Sequence, residues 1–187
     1  MSDSPASSVR VVFAEAEHVM HAPALATLIE AAAQDPNTGL AKRTAKYLAE
    51  KMRAGNAVIA LGPNDEPAGF CYVETWEHGR YIANSGLIVS PDFRGHGLAK
   101  RIKTRIFELS RVKYPDAKLF GLTTSPAVMS INADLGYRPV AFADLTRDDA
   151  FWVGCQTCAF FDVLTRTRRV NCLCTGMLYD PNRVSGQ

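Results

Sequence analysis

The sequence predicts one α/β (α+β) domain, a sheet flanked by helices, and three observations predict it. Strand-like and helix-like segments alternate in the order β-α-α-β-β-β-α-β-α-β between residues 9 and 143. Two short apolar runs, 56–61 and 68–76, flank the turn cluster at 62–67 as the arms of a hairpin do. At residues 81–114 an apolar run, a glycine-rich turn and a long amphipathic helix follow in direct succession. With 187 residues the chain is long enough for a single domain with its own core. We take residues 1–187 as that domain and 144–187 as its cysteine-containing C-terminal elaboration.

Each element has a local reason. Residues 9–14 alternate weakly and read as a first strand. Residues 24–33 are rich in Ala and Leu, and Pro23 suits a first helical turn. Residues 40–53 read as a second helix, with Ala41, Ala45, Leu48 and Met52 on one side and Gly55 as its stop. Residues 81–90 read as a strand that Gly86 interrupts. In the long helix, Leu98, Ile102, Ile106 and Leu109 recur at helical spacing, while Lys100, Arg101, Lys103 and Arg105 fall on the other face. Tyr114-Pro115 ends it. Residues 118–124 read as a strand, 127–135 as a short helix closed by Gly136, and 137–143 as a strand. The tail between residues 151 and 181 supplies a last strand.

Composition narrows the function. Hydrophobic residues make up 47% and charged residues 21%, the balance of a soluble globular protein. The net charge is +2 and the basic residues form no long run, so a nucleic-acid partner is not expected. Residues 1–9 are small and polar, without the apolar core of a signal peptide. No apolar run approaches the roughly 20 residues of a membrane span. The expected location is the cytoplasm, with no membrane partner.

The richest segment is Leu87-Ile88-Val89-Ser90-Pro91-Asp92-Phe93 followed by Arg94-Gly95-His96-Gly97-Leu98-Ala99-Lys100. Backbone N–H groups at a glycine turn before a helix converge on a point, and the helix N-terminus adds partial positive charge. Such a turn suits an anion, a pyrophosphate for instance. A dinucleotide turn wants Gly or Ala where Lys100 stands, and the P-loop spacing is absent. An ordinary strand-to-helix turn without a ligand accounts for the same residues.

The run from Arg94 to Ala99 resembles the acyl-CoA-binding signature of the GNAT superfamily of N-acetyltransferases, R/Q-x-x-G-x-G/A, and residues 87–91 resemble the strand before it. The resemblance implies a GNAT-like acyl-CoA N-acyltransferase fold with a mixed, mostly antiparallel sheet. It implies acetyl-CoA as co-substrate, with Arg94, Gly95, His96, Gly97, Leu98, Ala99 and Lys100 around the pyrophosphate. Leu87, Ile88 and Val89 would lie along the pantetheine and supply an amide that polarises the thioester carbonyl. The implied reaction is attack on that thioester by an amine of a small molecule or a protein.

Residues 127–138 resemble a second family feature, a helix ending in L-Y-x-x-x-G-F, whose tyrosine often protonates the departing thiolate. That position falls on Asn132. An amide donates a hydrogen bond but supplies no proton, so Asn132 is expected to position CoA or a water. A helix-surface or capping Asn explains it as well. Glu74 is the candidate general base, with Glu77 and His78 just beyond it. A surface carboxylate on a hairpin is the plainer reading of Glu74. The rival function is a non-catalytic acyl-CoA-binding or zinc-stabilised interaction module.

Four of the five cysteines lie in the tail, as Cys155-x-x-Cys158 and Cys172-x-Cys174. A structural zinc on these four thiolates is one expectation, with both sulfurs of the second pair on one strand face. Buried free thiols and a disulfide or redox pair are the others. Cys71 stands alone and reads as core filling. Exposed sheet edges are compatible with a homodimer.

Overall fold

The strands β1 (Arg10–Phe13), β2 (Ala57–Leu61), β3 (Pro67–Trp76), β4 (Tyr81–Val89), β5 (Lys118–Thr123), β6 (Arg138–Val140) and β7 (Thr175–Tyr179) form one sheet in the spatial order β1-β2-β3-β4-β5-β7-β6. All neighbours pair antiparallel except β4 and β5, so the sheet is mixed and mostly antiparallel. The computed structural model describes residues 9–35 and 37–184. The polar residues 1–8, read above as lacking a signal peptide, lie outside the described residues.

Strand alternation feeds two cores. On β3, Cys71 and Val73 face α3 (Leu98–Lys113), where Ile102, Ile106 and Leu109 meet them. Phe70 and Tyr72, on the opposite face, meet Leu25 and Ile29 of α1 (Ala22–Ala33) and Leu48 and Met52 of α2 (Ala45–Arg53). A strand buried on both faces reads as a nearly continuous apolar run, which is what β3 does. Among the described residues no helix is long and apolar enough to cross a membrane.

The tail builds a third core. Trp152 of α5 (Asp149–Val153) and Leu164 of α6 (Phe161–Arg166) pack with Phe160 against Ala83 and Phe120 of the sheet. The chain then returns as β7, which inserts between β5 and β6 and ends before α7 (Pro181–Val184). Between β5 and β6 lies α4 (Pro126–Asp134), capped by Ser125, whose hydroxyl accepts from the Val128 N–H at 3.3 Å.

The expected helix over 40–53 is shortened. It starts only at Ala45, where the Thr44 hydroxyl accepts from the Tyr47 N–H at 3.2 Å. Residues before it are held by the tail: the Lys42 N–H donates to Thr157 Oγ1 at 3.0 Å and Arg43 Nη1 to the Gly154 carbonyl at 3.3 Å. A short 3-10 helix over Ala16–His21 precedes α1. The strand expected over 137–143 is only Arg138–Val140, because Phe142–Asp144 turns as a 3-10 helix.

Candidate active site

β4 and β5 run side by side for three pairs, Tyr81 with Lys118, Ile82 with Leu119 and Ala83 with Phe120, and then part. β5 stays paired with β7 through Thr123, while β4 continues alone on that side to Val89. The gap between them is a cavity. Residues 84–88 form one wall and 120–124 the other. Lys103 of α3 and Asn132 of α4 close its inner end, and Arg43, Tyr72 and Phe151 stand along it from the sides of α2, β3 and α5.

The other edge of β4 is irregular where it borders the gap. Ser85 pairs with Tyr72 and Ile88 with Phe70, so Gly86 and Leu87 together oppose the single Cys71. This is a β-bulge, which takes backbone groups out of the ladder. Gly86 has φ +66°, and a Cβ on it would come within 2.2 Å of Tyr72 Cε1. Only glycine fits there.

The glycine turn follows. Gly95 and Gly97 have φ of +82° and +72°, and a Cβ on either would meet no atom within 4 Å. Gly97 is the N-cap of α3 and no side chain caps the helix. The first-turn N–H groups therefore face open space, the arrangement that receives an anion. Arg94 Nε donates to the Val89 carbonyl at 3.1 Å and ties the turn to the end of β4.

Leu87, Ile88 and Arg94 line the cavity. Val89, Gly95, His96 and Gly97 lie in the adjoining strand end and turn, His96 is exposed, and Ala99 is in the first turn of α3. Leu98 is buried in the core beneath the sheet. Lys100 pairs with Asp134 at 2.8 Å on the surface, joining α3 to α4.

Asn132 is neither a surface nor a capping residue. It is 1% exposed and lines the cavity. Its Nδ2 donates weakly to Met177 Sδ at 3.6 Å, and Oδ1 has no partner. Glu74 is likewise buried rather than on a hairpin surface. The Tyr47 hydroxyl donates to its Oε1. Burial and the Glu74 carboxylate push the Tyr47 phenol well up, so it keeps its proton. Glu74 does not line the cavity; Arg43 and Tyr72 do. Glu77 holds the tail instead, accepting from Thr146 Oγ1 at 2.9 Å and the Arg147 N–H at 2.6 Å. His78 sits in the 3-10 turn after β3.

Lys103 departs furthest from the sequence reading. It was expected on the solvent face of its helix and is 2% exposed. It lies three residues before Ile106, so it flanks the apolar stripe, and that spacing was the available signal. Arg43, Tyr72 and Asn84 also line the cavity without having been singled out; the residue types alone gave no signal.

The structural zinc expected on Cys155, Cys158, Cys172 and Cys174 is not supported. Among the described residues no group of three or more His, Cys, Asp or Glu side chains is placed to hold a metal ion. Cys155 and Cys158 lie in turns after α5, and Cys172 precedes β7 in a loop, so the second pair is not a one-face strand chelate. The thiols pack instead against the third core. Burial raises the Cys155 thiol to about 11 and pushes Cys174 up as well. All five cysteines are free, and Cys71 is fully buried, as core filling requires.

The sequence model of the acetyltransferase (GNAT) family matches residues 25–126, more than half of the chain. No curated protein matches the sequence. Solved structures share the fold. N-acetylglutamate synthase from Neisseria gonorrhoeae, complexed with coenzyme A and N-acetyl-glutamate, superposes with a TM-score of 0.64 at 17% identity over 92% of this chain and 35% of its own. This chain therefore spans about a third of that synthase. A Mycobacterium tuberculosis protein in complex with CoA gives 0.64 at 18% identity, over 91% of this chain and 98% of its own. Phosphinothricin acetyltransferase from Sinorhizobium meliloti, in complex with acetyl-CoA, gives 0.62 at 11%, over 92% and 88%.

Proposed function

The chain belongs to the acetyltransferase (GNAT) family, and we propose that it moves an acetyl group from acetyl-CoA to an amine by direct attack on the thioester. One observation carries the reading. A gap between two parallel strands, with a bulged wall, opens beside an uncapped glycine turn at a helix N-terminus. The turn from Arg94 to Gly97 takes the pyrophosphate on its amides, with Leu98, Ala99 and Lys100 beginning the helix behind it. The pantetheine follows Leu87, Ile88 and Val89 into the gap.

The chain's own groups then divide the work. The bulge at Gly86 and Leu87 offers backbone donors to the oxygen that gains charge during attack. The walls hold amine and carbonyl in line and limit water. Glu74 does not line the cavity and its carboxylate accepts from the Tyr47 hydroxyl, so it takes the amine proton only through an intervening water. The Arg43 guanidinium gives the acceptor end a cation, which favours an amine that also carries an anionic group. Five free thiols suit a reducing compartment, the basis for placing the reaction in the cytoplasm.

The test is release of free CoA thiol from acetyl-CoA in the presence of a panel of amines, carboxylate-bearing amines included, beside calorimetric titration with CoA. Saturable CoA binding with amine-dependent thiol release supports the reading. Tight CoA binding with no turnover on any amine would favour a non-catalytic acyl-CoA-binding module.

A further inference from the structure

The inner end of the cavity holds a buried cation with nothing to pair with. Lys103 reaches it from α3 and is 2% exposed. Among the described residues its Nζ has no hydrogen-bond or ion-pair partner, and it lies over the Tyr137 ring, with Nζ 5.5 Å from the centroid. Lone buried ammonium groups are costly, and proteins retain them where something binds.

The surrounding polar groups are already spoken for. The Tyr137 hydroxyl donates to Asn84 Oδ1 at 3.0 Å, Asn84 Nδ2 donates to Ser110 Oγ at 2.8 Å, and Ser110 Oγ donates to the Ile106 carbonyl at 2.8 Å. That chain closes without Lys103. At the end of the cavity Asn132 Oδ1 is buried without a partner, and the Lys103 ammonium lines the same space. The two residues are joined through Tyr137, whose N–H donates to the Asn132 carbonyl at 3.0 Å. Asn84 is also the first β4 residue beyond the last β4–β5 pair, so this end is the apex of the gap. A slender chain that enters from the glycine turn and runs between the strands brings its far end here.

We infer that Lys103 meets the sulfur of CoA at the apex and gives it a proton as the acetyl group leaves. The assignment rests on the acetyl-transfer reading above. It answers a difficulty of that reading, since Asn132, at the position where the family tyrosine falls, has no proton to give. As the acceptor nitrogen bonds to the carbonyl carbon, the C–S bond breaks and its electron pair goes to sulfur. The Lys103 ammonium protonates that sulfur and becomes a neutral amine. The proton lost by the acceptor nitrogen passes through an intervening water to Glu74 and from there to solvent, and Lys103 regains one from solvent once CoA departs. The sum is amine plus thioester giving amide plus thiol.

The electrostatics agree with the geometry. Burial lowers the Lys103 ammonium from its ordinary range, which brings it nearer to a thiol in acidity and makes it a better proton donor. The titratable groups facing it are Cys71 from β3 and Tyr137 from the turn before β6. Burial raises Cys71 to about 11 and pushes Tyr137 up too, so both stay neutral and neither supplies a counter-charge. A thiolate is the anion this end lacks.

The test reads the sulfur itself. Wild type and Lys103→Met are saturated with CoA, and the ultraviolet absorbance of the thiolate is followed against pH relative to each protein without CoA. The sulfur of bound CoA should ionise about one pH unit lower in wild type, a tenfold shift. With any amine that supports turnover, Lys103→Met should lose about 100-fold in kcat, with its alkaline decline abolished and the KM for acetyl-CoA nearly unchanged. Lys103→Gln, also uncharged, should behave the same way and serves if the Met variant does not fold. CoA bound by all three proteins with identical sulfur titrations overturns the role of Lys103 alone. A wild type that binds no CoA overturns the acetyl-transfer reading, and this assignment with it.

Discussion

Arg43 Nε donates to the Tyr72 hydroxyl at 2.9 Å, a contact across 29 residues that fixes the cation in the wall of the cavity. Arg43 also donates through Nη1 to the carbonyls of Lys42 and Gly154, so one guanidinium ties the segment before α2, β3 and the tail together. Tyr72→Phe removes one of these acceptors and should cost about 1–3 kcal/mol, measured by denaturant unfolding. Arg43→Gln should raise the KM for an anionic amine at least tenfold while leaving the KM for acetyl-CoA in place. Equal rises for both substrates would mean that Arg43 does not sort donor from acceptor.

Gly86→Ala tests the bulge. The new methyl group would fall on the Tyr72 ring and sit at a positive φ. Overpacking and left-handed strain together suggest a loss of about 2–4 kcal/mol. Because the strain is relieved by shifting β4 or Tyr72, affinity for acetyl-CoA should fall as well. A variant as stable as wild type in urea would show that the bulge is not tightly packed.

Lys103 should also mark the pH dependence of stability. Its folded-state pKa lies below the unfolded value, so below both values the charge destabilises the fold, and the penalty fades as pH rises from the folded value toward 10.5. Lys103→Met should therefore melt above wild type near neutral pH, and the gap should close as pH approaches 10.5. A gap that stays constant with pH would assign the change to packing alone.

The tail thiols should behave as packed side chains. Purified protein should carry no stoichiometric zinc, and a chelator should leave the melting temperature unmoved. Cys155 should be alkylated slowly at neutral pH and faster as pH approaches about 11, read by peptide mapping. One zinc per chain would contradict the packing seen around these cysteines.

Elements with strong local signals were legible in the sequence. The long helix shows its apolar period, Pro91 and the glycines mark the turn before it, and the hairpin of β2 and β3 has its Gly-Pro-Asn-Asp turn. What could not be read depends on distant partners. Residues 40–44 have helical composition but are held out of α2 by Thr157 and Gly154, more than 100 residues away. Glu74 looks like a surface carboxylate until Tyr47 covers it. Lys103 looks like its neighbours Lys100 and Arg101, yet only its side of α3 turns toward the gap between β4 and β5. The strand that completes the sheet, β7, comes from the tail, where the sequence suggested a last strand without its place between β5 and β6.

The most direct test of the whole account is calorimetric titration of acetyl-CoA into wild type, Gly97→Ala and Gly97→Glu. Both variants carry the same left-handed strain at φ +72°, and only the Glu side chain fills and charges the open space before α3. The account predicts saturable one-to-one binding by wild type, binding weakened only modestly by Ala, and binding abolished by Glu in a protein that still melts cooperatively. Undiminished binding by Gly97→Glu, or none by wild type, would contradict it.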